Sequence, residues 1–591
     1  MNRNKMKTIN SYKNRSIVHL FSIITLIILI NFIGSFFYTR IDLTSEKRYT
    51  LSDITKDYIK NLDDIVYFKI YLEGNELPPG LERLKTNIEE MLSEFKVIGN
   101  DNIEFEFVNP SESSEKKEQN QVFQELIKRG LNPTNIQERT EEGNLSQKTV
   151  FTGGFVYYKG NEVNIEFLTN NPTLNAEQNL NNAIQDIEFT LMSSIKKLSQ
   201  TQPDRIAFIE GHGELNKAET ADLGKALKDY YAIERISIDE KIYSLTERRK
   251  RDSTSYGIFN KYKAIIIAGP KGKFSEKDKY IIDQYLMNGG NILWLINGTT
   301  ANMDSLAYMP FTMAMLQDIN LEDQLFTYGI RVNTDLVQDM QCSSIPIDVS
   351  QIGSKYPDFK LFPWPFFPLV SGNYNHPITK NLNLVKMEFA CSVDTIGRKP
   401  NLTRTPLLYT SNHSKKLNAP VRIGLNTINH KLDKRQFTKK FIPTAYALEG
   451  KFQSVFRGRL TKQFSELSEI RFMEESKPAK MVVVSDASIM RNNIKRTARG
   501  YTPLPLEKDK YTGQIYGNKE FLINAINYLC DDSGILNMRS KDYKIRLLDQ
   551  TKIVGHKTFW QTINLILPLT ILILFGLLNL WIRKRKYKLH T

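Results

Sequence analysis

The stretch FIEGHGE holds the residues of this sequence best suited to chemistry. Its core reads Glu210, Gly211, His212, Gly213 and Glu214, directly after an apolar run. An imidazole beside two carboxylates could hold a metal ion or serve as a general acid–base pair. In an extended chain these three ionisable side chains would also alternate onto the same side. A glycine-framed turn with a locally hydrogen-bonded histidine is the competing interpretation.

The sequence lacks the further residues that a metal site or a catalytic site would need. A mononuclear metal site needs a third or fourth protein ligand, and the seven histidines show no HExxH or similar spacing. A nucleophile elbow, Gly-x-Ser/Cys-x-Gly, is also missing, because the later apolar runs end in AGPKG, INGTT and VVSDAS. Ser485 and Asp486 in the last run form a polar pair of a kind that is commoner in surface caps. We therefore predict no catalytic residue, no metal and no cofactor, and favour the turn.

The sequence also lacks a phosphate-binding loop. GPKGKFS contains a Gly-Lys pair, but the first glycine of GxxxxGK[ST] is absent at the required spacing. We therefore expect any ATPase activity to belong to a separate subunit.

Apolar runs that alternate with helical patterns surround FIEGHGE and must position it. This alternation predicts a parallel sheet covered by helices on both faces. Ligands of such sheets bind beyond the carboxyl ends of the strands, where FIEGHGE lies. The predicted strands are 205–211, 232–238, 264–270, 291–298 and, far downstream, 481–488.

Two uncharged apolar runs, 17–38 and 559–582, lie at the two ends of the chain. A helix of either length would reach roughly 33–36 Å, enough to cross a hydrocarbon core of about 30 Å. Each run has five basic residues and no acidic residue on its terminal side, and these tails hold much of the net charge of +15. A nucleic-acid groove is therefore not expected. The positive-inside rule places both termini in the cytoplasm and residues 41–558 in the periplasm, with the chain anchored in the inner membrane.

The predicted fold class is α/β, with two transmembrane helices flanking a large ectodomain. A strand–helix–strand pattern over 65–110 and a hairpin over 153–168 favour a small N-terminal α/β domain. The predicted parts are a basic tail (1–16), a first transmembrane helix (17–38), an N-terminal α/β ectodomain (41–200), a discontinuous parallel α/β domain (203–300 and 480–532), an inserted lobe (301–479), a return linker (533–558), a second transmembrane helix (559–582) and a second basic tail (583–591).

Two further groups of residues are candidates for contacts with other proteins. FPWPFFPLV predicts a stiff apolar surface loop that could bind a partner through Phe362, Trp364, Phe366 and Phe367. A proline-fixed crossover packed on its own lobe is the alternative. In the second apolar run, polar or kinking residues often face protein rather than lipid. The residues in question are Asn564, Pro568 and Asn579.

Several stretches together resemble one family, the gliding-motility ABC-transporter auxiliary ("substrate-binding") protein, GldG type, of Bacteroidetes. They are RYTLSDITKDYI, FIEGHGE, YGIRVNTDLVQDMQC, PWPFFPLV, ALEGKFQSVFRGR and the tail NLILPLTILILFGLLNLWIRKRKY. The resemblance implies a transporter with a separate ATPase and a multi-spanning permease. It also implies a central glutamine-amidotransferase-like (flavodoxin-like) domain without the cysteine nucleophile, which fits the missing elbow.

The leading hypothesis is a non-enzymatic, membrane-anchored auxiliary subunit of an ABC transporter complex. Its partners would be the permease, the ATPase and the lipid bilayer, with no nucleic acid. The ectodomain would bind a substrate or an envelope partner, or would couple to the permease. Two alternatives stay open: an envelope hydrolase that uses Glu210, His212 and Glu214, and a stand-alone envelope ligand receptor.

Overall fold

The structure, a computed structural model, describes residues 18–32, 51–540 and 557–588. Short gaps within these stretches lie at 75–76, 113–114, 140–144, 169–173, 201, 229, 251–255, 307, 310, 351–355, 430–431, 462–469 and 498–499. By compactness the chain divides into two units, 1–48 with 542–591 and 49–541.

The described residues form a mixture of helices and strands. The helices are α1 (Val18–Phe32), α2 (Asp53–Lys60), α3 (Pro79–Gly99), α4 (Lys116–Lys128), α5 (Ala176–Gln185), α6 (Ile187–Ser199), α7 (Ala221–Leu227), α8 (Glu276–Met287), α9 (Met303–Leu306), α10 (Glu322–Tyr328), α11 (Asn518–Cys530) and α12 (Lys557–Lys588). Short 3-10 helices lie at Asn100–Asn102, Leu425–Asn429, Lys434–Gln436, Ser488–Met490 and Ile535–Ser540.

The strands follow one another along the second unit. They are β1 (Val66–Ile70), β2 (Ile103–Phe107), β3 (Pro133–Arg139), β4 (Leu145–Phe151), β5 (Gly153–Tyr158), β6 (Asn161–Glu166), β7 (Arg205–Glu210), β8 (Ala232–Ser237), β9 (Thr246–Lys250), β10 (Tyr256–Asn260), β11 (Ala264–Ala268), β12 (Asn291–Leu295), β13 (Phe311–Ala314), β14 (Ile330–Val332), β15 (Asp335–Asp339), β16 (Cys342–Asp348), β17 (Phe359–Gly372), β18 (Val385–Lys386), β19 (Val393–Thr395), β20 (Leu402–Tyr409), β21 (Ser414–Asn418), β22 (Val421–Gly424), β23 (Pro443–Gly450), β24 (Ala479–Val484), β25 (Ile494–Thr497) and β26 (Gly500–Pro503).

The N-terminal part of the second unit contains a four-stranded sheet in the order β2-β1-β5-β6. Strands β1 and β2 are parallel and α3 connects them, as the strand–helix–strand pattern predicts. Strands β5 and β6 form the predicted hairpin, with Lys159 and Gly160 at positive φ in its turn. Helix α3 buries the stripe Leu84, Ile88 and Leu92, spaced at helical intervals, in the core below this sheet.

A ten-stranded sheet forms the centre of the second unit. Its parallel part runs β8-β7-β11-β12-β24, and numbered along the chain these five strands lie in the order 2-1-3-4-5. This order is common among doubly wound sheets. Strand β11 is buried at all five positions, because helices cover both faces of a parallel sheet.

The sheet does not end at β24 but continues through antiparallel strands β23, β20, β17 and β16. These four strands come from 301–479, the segment predicted to form an inserted lobe. Ala445 of β23 lies opposite Val484 of β24, so the inserted segment is hydrogen-bonded directly to the parallel strands.

Alternate residues of each parallel strand enter two separate cores. Along β7, Ile206 and Phe208 join the cluster that also contains Phe521 of α11. Ala207 and Ile209 join the opposite cluster, which contains Ile282 of α8. The two-residue period of a strand produces this division, and it fixes which side chains of each strand face each core.

The aromatic stretch FPWPFFPLV is part of strand β17 and not the predicted surface loop. Trp364, Phe366 and Phe367 are buried in one aromatic cluster with Phe389, and Phe362 is half-buried. The rings contact one another, with the centroids of Trp364 and Phe366 5.2 Å apart and those of Phe367 and Phe389 5.4 Å apart. The arrangement corresponds to the packed alternative, and a partner contact through these rings remains a prediction.

The first unit contributes the apolar helices α1 and α12. Within α12, the segment Thr558–Ile582 is 25 residues long, has a mean hydropathy of 2.5 and is not buried, so it is long and apolar enough to cross a membrane. Helix α1 is shorter, and residues 17 and 33–38 of the predicted first span lie outside the described residues. One candidate membrane helix is therefore found among the described residues, where the sequence predicts two.

Candidate functional site

A cleft of about 550 Å³ opens beyond the carboxyl ends of β7, β11, β12 and β24. Four of its lining residues, Leu215, Lys271, Asn297 and Asp486, each follow one of these strands. This edge, near the point where the strand order reverses, is where doubly wound sheets bind ligands. We call this cavity the sheet-edge cleft.

The FIEGHGE turn comes directly before Leu215, which lines the sheet-edge cleft. Gly211 and Gly213 have φ angles of 120° and 76°, a region that glycine enters without strain. The turn lets the carbonyl oxygen of His212 accept hydrogen bonds from the backbone N–H groups of Lys271 and Gly272, at 2.8 and 2.7 Å. The turn therefore fixes the loop after β11, which carries Lys271 into the cleft.

The His212 side chain is held on three sides. Its Nε2 lies 3.2 Å from Asp278 Oδ2, and its Nδ1 lies 3.4 Å from Glu214 Oε1. The ring also stacks on Phe274 with centroids 3.7 Å apart. Burial lowers the pKa of His212, but the carboxylates of Glu214 and Asp278 outweigh burial, so the pKa is raised above its ordinary value of 6.5. These contacts of His212 tie the turn to Asp278 of α8.

Glu210 does not join this group. Its carboxylate accepts a hydrogen bond from Nε of Arg235, whose guanidinium also donates to the Leu215 carbonyl oxygen at 2.6 Å. The structure therefore brings His212 and Glu214 together, whereas Glu210 pairs with Arg235 of strand β8. The unpredicted partner, Asp278, follows the helix cap Ser275 by three residues, a spacing that is visible in the sequence.

Asp486, in the polar pair singled out from the sequence, lies buried at the base of the cleft. Its carboxylate accepts hydrogen bonds from the backbone N–H of Glu388 and from the backbone N–H and hydroxyl of Ser488, at 2.6, 2.7 and 2.6 Å. Burial raises the pKa of Asp486 to about 7, although these hydrogen bonds oppose the change. The neighbouring Ser485 hydroxyl donates to the Cys391 carbonyl oxygen, so no base activates it.

A buried ion pair also lines the cleft. Lys386 Nζ lies 2.6 Å from Asp509 Oδ2 and 3.2 Å from Glu388 Oε1. Burial lowers the pKa of Lys386, but the two carboxylates outweigh burial and the pKa is raised. Burial likewise raises the pKa of Asp509, and Lys386 reverses that effect so that the pKa is lowered. Both groups are therefore charged. The sequence contains no motif that predicts this pair, because its members come from separate segments.

Buried polar side-chain atoms of the cleft lining are paired within the protein. Across the described part of its lining, no side chain holds a buried polar atom that lacks a hydrogen-bond partner. In the ranges that the structure describes, no group of three or more His, Cys, Asp or Glu side chains could hold a metal ion. The cleft is lined by amide, hydroxyl and charged side chains, and their buried polar atoms are paired within the protein.

A family model described as an ABC-type uncharacterized transport system matches residues 203–525. That match covers more than half of the chain. The chain belongs to this transport-system family. The match contains all five parallel strands and every residue of the cleft named above. The auxiliary role of this family assigns the chain to a transport system and associates it with a membrane.

Two further sequence comparisons extend beyond the matched region. Residues 45–158, which contain the N-terminal sheet strands β1, β2 and β5, match a domain of unknown function. An uncharacterized protein of Borreliella burgdorferi is 21% identical over 588 residues, covering 97% of this chain and 99% of that protein. The similarity therefore extends over nearly the full length of both chains.

Two solved structures align with part of this chain. The mmIFT52 N-terminal domain aligns with 58% of this chain and 100% of its own length, with 17% identity and a TM-score of 0.30. A thua-like protein from Parabacteroides merdae aligns with 56% and 90%, with 11% identity and a TM-score of 0.23.

Proposed function

We propose that this family member is a non-enzymatic, membrane-anchored auxiliary subunit of an ABC transporter complex. The observation that carries the proposal is the family match over residues 203–525, which includes the whole sheet-edge cleft. In this proposal the ectodomain binds a substrate or an envelope partner in that cleft, or passes a conformational change to the permease. The position of the cleft beyond the strand ends, where doubly wound sheets bind ligands, supports binding there.

The transporter partners in this proposal are a multi-spanning permease and a separate ATPase. The absence of GxxxxGK[ST] from the sequence supports a division in which another chain hydrolyses ATP. One candidate membrane helix, Thr558–Ile582, supports anchoring rather than formation of a transport path by this chain. A second anchor at 17–38, both termini in the cytoplasm and residues 41–558 in the periplasm complete the proposed topology.

The polar residues of α12 supply the proposed contact with the permease. Asn564, Pro568 and Asn579 are separated by 4 and 11 residues, which places them within about 60° of one another around the helix. All three are exposed in the described protein. Amides that face one side of a membrane helix are satisfied best by a neighbouring helix.

The finer parts of the proposal concern the type of system. We infer from the resembling stretches a GldG-type role in surface gliding, as in Bacteroidetes, and an amidotransferase-like central domain without a nucleophile. The strand order 2-1-3-4-5 supports the fold part of this inference. Deletion of the gene in the native bacterium should then abolish gliding, and unchanged spreading would contradict the gliding part alone.

Affinity purification of the tagged chain from native membranes in mild detergent tests the main proposal. We expect a permease and a Walker-motif ATPase to be retained in fixed ratio. Recovery of the chain alone would overturn the auxiliary-subunit assignment.

A matched pair of variants locates the contact within the membrane. The double variant Asn564→Leu/Asn579→Leu should lose most of the permease. Thr570→Leu, which lies on the opposite side of α12 and whose hydroxyl bonds its own helix at Ile566, should retain it. Equal retention by both variants would remove α12 from the interface.

A further inference from the structure

Large apolar side chains are concentrated on the surface around strand β13. Six of them lie within residues 308–316, and each is at least 40% exposed. Ala314 of the same strand is buried, so the strand has an inner face toward the core and an outer face toward solvent. Exposed apolar residues that are contiguous, rather than scattered singly, mark interaction sites. We call this group the apolar ribbon: Tyr308, Met309, Phe311, Met313, Met315 and Leu316.

The partner strand adds positive charge to the outer face of the ribbon. Strand β22 pairs with β13 in antiparallel register, and Arg422 lies opposite Met313. Residues opposite each other in such a pair share a face of the sheet. The guanidinium of Arg422 lies over the ring of Phe311, 4.1 Å from its centroid, and Arg422 is exposed. A cation therefore stands directly on the apolar surface.

The segment that contains β22 is strongly basic. Residues 415–440 include eight lysines and arginines and a single acid, Asp433. That acid pairs with Arg435 at 2.8 Å. The exposed lysines in the described part of the segment are Lys434, Lys439 and Lys440.

The basic segment and the apolar ribbon are attached to the same core. Leu417 and Leu425 pack against the aromatic cluster of β17, and Ala314 of the ribbon strand belongs to that cluster. Further along the segment, the backbone N–H of Lys439 donates to the carbonyl oxygen of Ser414 at 2.9 Å, and Ser414 begins β21. The positive charges are therefore carried by the same lobe as the apolar ribbon.

Exposed apolar side chains beside lysines and arginines have the chemistry that binds an anionic bilayer. The apolar groups enter the boundary between headgroups and acyl chains, and the cations are attracted to the lipid phosphates. Tyr308 is 90% exposed, so the ribbon offers side chains that reach into such a boundary. The family is associated with a membrane. We propose that the apolar ribbon and the adjoining basic segment bind the surface of an anionic phospholipid bilayer.

Fluorescence of the labelled full-length chain in nanodiscs tests this proposal. The dye NBD, whose emission rises in apolar surroundings, is attached to Met313→Cys in a Cys342→Ser background, where the remaining Cys391 and Cys530 are buried. The control label is at Val122→Cys, a residue of α4 that is 38% exposed. Emission at position 313 should be roughly twofold brighter in phosphatidylglycerol than in phosphatidylcholine nanodiscs, and emission at position 122 should be equal in both. Equal emission in both bilayers at position 313 would overturn the proposal.

A matched pair of charge variants tests the role of the basic segment. Lys439→Gln/Lys440→Gln removes two adjacent exposed cations and should abolish most of the increase at position 313. Lys116→Gln/Lys117→Gln removes two adjacent exposed lysines of α4 and should leave the increase unchanged. Salt at about 1 M should act like the first variant, because it shortens the screening length to about 3 Å. An equal loss in both double variants would contradict a specific basic surface.

A protein partner is the competing occupant of the ribbon and would give a different result. The emission at position 313 would then stay low in both nanodiscs and rise only in native membranes, which would overturn the lipid assignment. The nanodiscs contain only the chain and lipid. Their result is therefore independent of whether a permease and an ATPase are recovered with the chain.

Discussion

The sheet-edge cleft can be compared with a second cavity, of about 450 Å³, that Asp186, Glu507, Lys519, Glu520 and Arg539 line and that we call the junction cavity. In the cleft, Lys386 pairs with Asp509 and Glu388, and Asp486 accepts three hydrogen bonds. In the junction cavity, Arg539 pairs with Asp186 and Glu520, and Lys519 pairs with Asp222 and Glu507. The Lys386–Asp509 pair is more deeply buried than the Lys519–Glu507 pair, so breaking it should cost more stability.

The His212 turn shows that unpaired atoms do not by themselves identify a ligand site. His212 Nδ1 and Glu214 Oε1 are also buried without a hydrogen bond, yet they lie only 3.4 Å apart. They satisfy each other electrostatically when the histidine is protonated. The same holds at the junction cavity, where Glu507 Oε2 makes no hydrogen bond but lies 3.5 Å from Lys519 Nζ.

The largest expected effect follows from removal of the buried cation of the junction cavity. Arg539→Met leaves Asp186 without its charged partner, and breaking a buried pair lowers the free energy of unfolding by about 3–5 kcal/mol. Urea unfolding measures this change. Lys519→Met, at a more exposed pair, should cost about 1 kcal/mol or less. Similar losses in both variants would show that Arg539 does not hold the cavity together.

The pH dependence of the free energy of unfolding tests the burial of Asp486 in the cleft. Because its pKa rises from 3.8 in the unfolded chain to about 7 in the folded protein, the folded state binds the extra proton between these values. Its contribution to stability is therefore present at low pH and is lost as pH rises from 4 to 7. Relative to Asp486→Asn, the wild type should lose about 2–4 kcal/mol of unfolding free energy over that range. Parallel curves would contradict the buried, proton-binding carboxyl.

His212 should give a smaller pH effect of the same sign. Its pKa is raised in the folded state, so the stabilisation is complete below 6.5 and is lost as pH rises through the folded-state pKa. Relative to His212→Gln, the wild type should be more stable by about 1–2 kcal/mol in acid and should lose that advantage at higher pH. A variant that lost biological function with unchanged stability at every pH would instead favour a catalytic histidine.

The smallest stability effect should come from Glu507→Gln. The substitution keeps the size of a side chain whose ion pair with Lys519 is partly exposed, and Lys519 keeps its pair with Asp222, so the free energy of unfolding should change by about 0.5 kcal/mol or less. Urea unfolding measures this change. A loss as large as that of Arg539→Met would mean that Glu507 is structural.

Much of the fold was predictable because its signals are local. The run at 264–270 is continuously apolar, and it forms a strand buried on both faces. The alternating and glycine-marked stretch at 153–168 forms the predicted hairpin. FPWPFFPLV misled the prediction because prolines and aromatics suit both an exposed loop and an irregular strand. Burial of Trp364 is a tertiary property that the stretch itself does not encode.

The sites were predictable only in part. FIEGHGE lies at the carboxyl end of β7 as predicted, whereas Asp486, for which the sequence favoured a surface cap, is buried in the cleft. The assumption that Glu210, His212 and Glu214 face the same way was wrong, because two positive-φ glycines break the alternation of the strand. The first membrane span at 17–38 stays a prediction, since the described helix covers only Val18–Phe32.

The sequence by itself determined the parallel strands, the glycine turn and the apolar helix Thr558–Ile582, because each depends on residues near one another in the chain. Only the tertiary structure decided the partners. His212 meets a carboxylate 66 residues away, and Arg539 meets one 353 residues away. Such contacts depend on how distant elements pack, and the pattern of any one segment contains no record of that packing.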